Sequence, residues 1–153
     1  MEFVVNEWLP EYFKPDATND EKQKLEFFLN RLLERRDKIF VRRPSEFLTK
    51  IYRYGKAHQN NTKTFIAISK FIKIVLMDSE RCFFVDDGEF ELSETIRNKL
   101  VDGGNTISDT YLFEAASVTE GKLIITTDAK LKALMENEES FRVELLNKFL
   151  DSY

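Results

Sequence analysis

Residues 122–134 read KLIITTDAKLKAL. Leu123, Ile124 and Ile125 make a continuous apolar run, Thr126 and Thr127 follow, and Asp128 stands directly before a helix-like pattern from Ala129. A short apolar run rich in β-branched residues and bounded by polar ones reads as a strand buried on both faces. Its exit through a carboxylate raises the question that governs the chain: is Asp128 a helix cap or part of a site?

Three earlier runs have the same character: EFVV at residues 2–5, KIFV at 38–41 and RCFFV at 81–85. Amphipathic segments lie between them. Thr18 and Glu21 have capping-box spacing and open a helix to about Arg36, with Leu25, Phe28, Leu29, Leu32 and Leu33 on one face. Pro44 and Ser45 open a second, which Gly55 is expected to stop. A third covers residues 62–77, a short fourth follows Ser93, and Ser108 and Asp109 open a fifth. Phe141, Leu145, Leu146, Phe149 and Leu150 predict a last helix, and WLPEYFKPD (8–16), with two prolines, predicts a loop or short turn.

Short apolar strands separated by helices predict an α/β fold. The expected architecture is a three-layer α/β/α sandwich with a central, mostly parallel sheet of about four to five short strands, in one domain over residues 1–153. In open sheets of this kind ligands bind beyond the carboxyl ends of the strands. The polar residues at those ends are Asn6, the pair Asp86-Asp87 and Asp128, joined by Asp109 if its helix begins at the same edge.

Composition narrows the classes further. Apolar residues make up 42% and charged residues 33%, enough for both a core and a solvated surface. The single Cys82 excludes an internal disulfide and a cysteine-based zinc cluster, and reads as a small core hydrophobe. His58 lies in a polar stretch and reads as solvated. No leader-like apolar segment opens the chain and no run has membrane-spanning length, so a soluble, cytoplasmic protein without membrane contact is expected. Residues 31–56 hold nine Lys/Arg against three acids in a chain whose total charge is −4. Two readings stand equal: a face for a polyanion such as RNA, or the basic outer sides of helices.

Carboxylates gathered at one edge repel one another unless a cation sits between them. Mg²⁺ and Mn²⁺ are hard ions that take such oxygen ligands. Thr127 beside Asp128 could bind a phosphate oxygen or a metal-bound water. Each acid also has a plainer reading. Asp109 suits a helix N-terminus, Asp128 suits the N-cap before Ala129, and Asp86-Asp87-Gly88 suits a turn.

The segment SDTYLFEAASVTEGKLIITTDAKL, residues 108–131, resembles the C-terminal half of a PIN-domain ribonuclease. Asp109, Ala115, Ala116, Gly121, Thr127 and Asp128 match the pattern in order and spacing. The resemblance implies a metal-dependent endoribonuclease of toxin-like or RNA-processing type, using Mg²⁺ or Mn²⁺ held by Asp109 and Asp128. It further implies an RNA substrate, an antitoxin-like protein partner and a homodimer as companions of the fold. The N-terminal half departs from the family. Asn6 stands where an aspartate is expected after the first strand; it offers a carbonyl oxygen but no charge. The second family acid would fall at Thr49 or Lys50, and the nearest carboxylate, Glu46, comes a full turn early. Glu7 is adjacent to Asn6, though successive strand residues point to opposite faces.

The expected site is therefore Asp109, Asp128 and Asn6, with Glu46 and Glu7 as further ligands, and Thr127, Arg42, Arg43, Lys50 and Arg53 holding the RNA backbone. The alternative is a catalytically inactive PIN-like module for RNA binding or protein interaction. A third is an unrelated α/β domain whose acids are helix caps.

Overall fold

Five short strands carry the fold of this computed structural model, which describes residues 1–104 and 108–153. They are β1 (Glu2–Val5), β2 (Lys38–Arg42), β3 (Cys82–Val85), β4 (Leu123–Thr126) and β5 (Arg142–Leu145). They join in one sheet of order β3-β2-β1-β4-β5, and every neighbouring pair is parallel. Phe3 stands opposite Ile39 on one side and Leu123 on the other. The chain winds outward from β1 to β3, then returns to the opposite side of β1 with β4. The order therefore reverses between β1 and β4, and there the carboxyl edge opens a crevice.

The strands are apolar because both faces are covered. Phe3, Val5, Ile39, Val41, Leu123 and Ile125 point to one side. They pack there on α1 (Trp8–Tyr12), α2 (Asn19–Arg35), α3 (Glu46–Ala57), α4 (Thr62–Phe71, prolonged by a π-turn over Ile72–Leu76) and α8 (Leu146–Ser152). Val4, Phe40, Val85, Ile124 and Val143 point to the other, onto α5 (Glu94–Asp102), α6 (Thr110–Ser117) and α7 (Ala129–Leu134). The period-two alternation of strand side chains thus divides the core into two layers, as the three-layer expectation required.

The helix starts follow their caps. Thr18 Oγ1 accepts from the Glu21 amide at 3.2 Å and Glu21 returns a carboxylate to the Thr18 amide at 2.8 Å, the reciprocal pair read from the sequence. Ser45, Asn61 and Ser93 cap the next three helices.

The structure corrects three expectations. Trp8–Tyr12 is a short helix, not a loop. Pro10 lies in its first turn, where the missing N–H has no intrahelical partner to lose. Gly55 does not stop α3, which runs to Ala57. A Cβ at Gly55 would come within 3.3 Å of Ile68 Cγ2, so the glycine serves the close approach of α3 to α4. Residues 141–150 are not one helix: Arg142–Leu145 form the edge strand β5, and α8 begins only at Leu146. Phe141, Leu145 and Phe149 happen to repeat at a helical interval, which masked the strand. Leu146 and Phe149 are buried in the core, the packing reading of this last helix.

Candidate functional site

The crevice between β1 and β4 is closed by a short polar lattice. Asn6, just past β1, donates from Nδ2 to Thr126 Oγ1 at 2.7 Å, and its Oδ1 accepts from the Trp8 amide at 3.3 Å. Thr126 Oγ1 also accepts from the Asp128 amide at 3.0 Å. The Trp8 indole donates to the Ile125 carbonyl at 3.1 Å. Asn6 and Thr126 are both buried. Both ends of the Asn6 amide are therefore engaged in joining the strand ends, and the side chain acts as a strut between β1 and β4. Trp8 is equally buried in this corner.

Around the lattice stand the acids. Asp128 Oδ1 accepts from the Lys130 and Leu131 amides at 2.8 and 3.1 Å, so Asp128 is the N-cap of α7. Asp109 occupies the equivalent place before α6 but makes no cap hydrogen bond. Its carboxyl is pushed up to about 6, first by burial, then by the negative charges of Glu7 and of Asp128. The charge of Asp128 thus reaches Asp109 although 19 positions separate them in the chain.

Glu7 is a stronger neighbour of Asp109 than Asp128 is. The strand rule would have turned Glu7 away from this edge. It does not apply, because β1 ends at Val5 and Glu7 already has helical backbone angles, φ −66° and ψ −4°, at the N-cap of α1. The same WLPEY helix that the prolines concealed swings Glu7 toward Asp109. Glu46 opens α3 beyond the end of β2 and is exposed; its charge bears on the Tyr111 hydroxyl, not on Asp109. Thr127 is exposed beside Asp128.

The basic residues are largely engaged within the molecule. Arg42 is buried: it donates to Glu114 at 2.8 Å and to the Val85 carbonyl at 3.2 Å, pairs with Asp87, and lies 4.5 Å over the Phe90 ring. Arg42 was expected on the RNA-holding face; its guanidinium is instead a tie between β2, β3 and α6. Arg43 grips Asp86 through two bonds of 2.7 and 2.6 Å. The Asp86-Asp87 pair is therefore a partner for arginines at the β2/β3 ends. Lys50 pairs with Glu11 at 3.2 Å, and Arg53 lies over the Tyr54 ring while remaining exposed. Of the excess charge in residues 31–56, Arg31 and Arg35 also face carboxylates, Glu34 and Asp37.

The acids and the threonine at this edge offer only oxygen atoms, the ligand type that hard divalent cations take. Among the described residues no three of His, Cys, Asp and Glu stand close enough to one another to hold a metal ion as they are placed. Cys82 contributes nothing to this edge: the thiol is buried in the core, and burial pushes it up to about 12. Among the described residues no helix is long and apolar enough to cross a membrane.

Sequence reasoning ranked Glu7 below Asn6 and did not single out Tyr111. The signal for Glu7 was the apolar-rich WLPEY following the strand, a short helix with proline in its first turn. No protein-family model, no curated protein and no solved structure matches the chain.

Proposed function

We propose that the cleft formed by Glu7, Asp109 and Asp128 binds Mg²⁺ or Mn²⁺ and that the protein is a PIN-like endoribonuclease, hydrolysing RNA phosphodiester bonds. The observation that carries this reading is the carboxyl of Asp109, raised to about 6 at the reversal point of the sheet by burial and two neighbouring acids. Crowded carboxylates of this kind are costly without a cation and favourable with one. When bound, the metal supplies an activated water and stabilises charge on the phosphate. Glu7, Asp109 and Asp128 would hold it, with Asp128 retaining its cap through Oδ1. Glu46 and Thr127 are exposed, and Thr127, beside Asp128, would donate to a phosphate oxygen. Asn6 ties the ends of the two central strands together. Arg53, and Arg43 and Lys50 outside their ion pairs, would attract the RNA backbone weakly.

A second reading is an inactive PIN-like module that binds RNA or a protein. The engagement of Asn6 within the lattice and of Asp128 as a cap favours it. The test is cleavage of mixed-sequence RNA with Mn²⁺ by the wild type, Asp109→Asn and Asp128→Asn. Asn is a good N-cap, so the Asp128 variant should keep its fold. Cleavage by the wild type alone supports the nuclease. Equal background rates in all three, with RNA binding that survives chelation, support the module.

A further inference from the structure

Residues 47–77 contain six Lys/Arg and neither Asp nor Glu, in a chain whose acids outnumber its bases. The stretch covers α3 and α4 with the π-turn that prolongs α4. Lys50 holds Glu11 at 3.2 Å. Lys63, Lys70 and Lys73, all exposed on α4 and its extension, pair with no carboxylate among the described residues. Beside them stand four large apolar side chains that the core leaves out. Phe65, Ile66 and Ile74 are 44%, 47% and 45% exposed, and Met77 is 75% exposed. Ile66, Lys70, Lys73 and Met77 recur at helical intervals, so apolar groups and cations share one exposed ridge while Ile68, Phe71 and Val75 pack inward.

We infer that this outer face of α4 docks on an anionic membrane surface, its lysines among the headgroup phosphates and Phe65, Ile66, Ile74 and Met77 at the acyl boundary. Uncompensated positive charge calls for an anionic partner and repels a second copy of the same face. All three cations are Lys, a strongly hydrated charge that is depleted from protein interfaces, where Arg prevails. The apolar side chains do not line a groove for a partner chain: the recess of about 420 Å³ between α2 and α4 is lined by Lys63, Thr64 and Ala67 but by none of these four. RNA offers rings for stacking, but no apolar phase for Ile66, Ile74 and Met77. An anionic bilayer offers both phosphates and an apolar boundary. Lysine suits that setting, because its stem covers apolar surface while its ammonium stays wet. The contact is peripheral and needs no spanning helix, and it departs from the expectation of a protein without membrane contact. It is independent of the cation reading.

Co-sedimentation of the intact chain with phosphatidylcholine vesicles, with and without phosphatidylserine, tests this on the wild type, Lys70→Gln/Lys73→Gln and Ile74→Ser/Met77→Ser. The wild type should bind the phosphatidylserine vesicles and not those of phosphatidylcholine alone, less tightly as salt rises. Each lost lysine should weaken binding about 5-fold, and the pair about 25-fold. The apolar pair should weaken it about 10-fold or more. All four positions are exposed, so both variants should keep the wild-type Tm. Met77→Ser alone, at the most exposed of the apolar positions, takes the place of the apolar pair if that pair lowers the Tm. No vesicle binding by the wild type, or equal binding to both kinds of vesicle, overturns the inference. An apolar variant that binds like the wild type also overturns it, since charge alone would then suffice. Mixed-sequence RNA bound more weakly by the lysine pair, with vesicles left unbound, assigns the face to RNA and overturns it as well.

Discussion

Replacing Asp109 by Asn removes a charge that its surroundings oppose, and the cation-free protein should become more stable for it. The carboxyl is raised from 3.8 to about 6. About two pH units correspond to roughly 3 kcal/mol between the protonation states. Asp109 is only half-buried, and solvent screening reduces this to about 1–1.5 kcal/mol. For a chain of this size that is a rise in Tm of about 3–6 °C. The sign follows from proton linkage. The folded-state value lies above the unfolded one, so the penalty is absent below about 3.8, grows as pH rises, and is complete above about 6. Asn preserves a residue suited to the position before a helix. Thermal melts of wild type and Asp109→Asn in a chelator, from pH 4 to pH 8, read the effect directly. The gain should vanish at the acid end and reach its plateau near neutrality. With Mn²⁺ in excess the order should reverse, because only the wild type gains binding energy. A variant less stable than wild type at neutral pH, or a gain that does not change with pH, would refute the reasoning that burial and the neighbouring acids oppose the Asp109 charge.

The pH profile of Mn²⁺ affinity should report the same carboxyl: binding strengthens as pH rises to about 6 and levels beyond it, because the ion competes with the Asp109 proton. Calorimetry in two buffers of different ionisation heat would count the released proton. Arg42→Ala should destabilise the protein by about 3–5 kcal/mol in chemical denaturation, since it leaves Glu114 half-buried without its main partner. Arg53→Ala, exposed, should stay within about 0.5 kcal/mol of wild type; it should weaken RNA binding at low salt, measured by fluorescence anisotropy. Asn6→Asp would place a fourth charge in the crevice. It should lower the cation-free Tm at neutral pH and tighten Mn²⁺ binding.

Much of the sheet was legible because each strand is buried on both faces, and burial writes itself as continuous apolar residues. EFVV, KIFV, CFFV and LIIT fall where expected. β5 was not, since it is an edge strand of mixed character: Arg142 and Glu144 pair along it at 2.7 Å, and only Val143 faces the core among them. Such charges keep an edge from pairing with other chains, and they also erase the pattern by which a strand is recognised. Asp109 and Asp128 could be placed at one edge from topology alone, because both stand where a helix begins at the carboxyl side of a parallel sheet. The role of Arg42 could not. Its buried pairing with Glu114 and Asp87 joins residues 72 and 45 positions away, a long-range match that no local signal carries.

The contrast between Asn6 and Glu7 shows how local backbone geometry redistributes a site. A carboxylate directly after β1 would stand next to the Thr126 hydroxyl, where Asn6 stands now. Asn6 fills that place with a neutral amide and converts it into the strut that fixes β1 against β4. The negative charge moves one residue along, onto a helix start whose backbone turns Glu7 to the same cleft. A charge at half-buried Glu7 is better solvated than one at the buried Asn6 position, so the cation-free protein bears less repulsion. The cation it attracts is correspondingly less enclosed and less tightly held. On this view the open spacing of the acids has one origin: the strand exit was given over to holding the sheet.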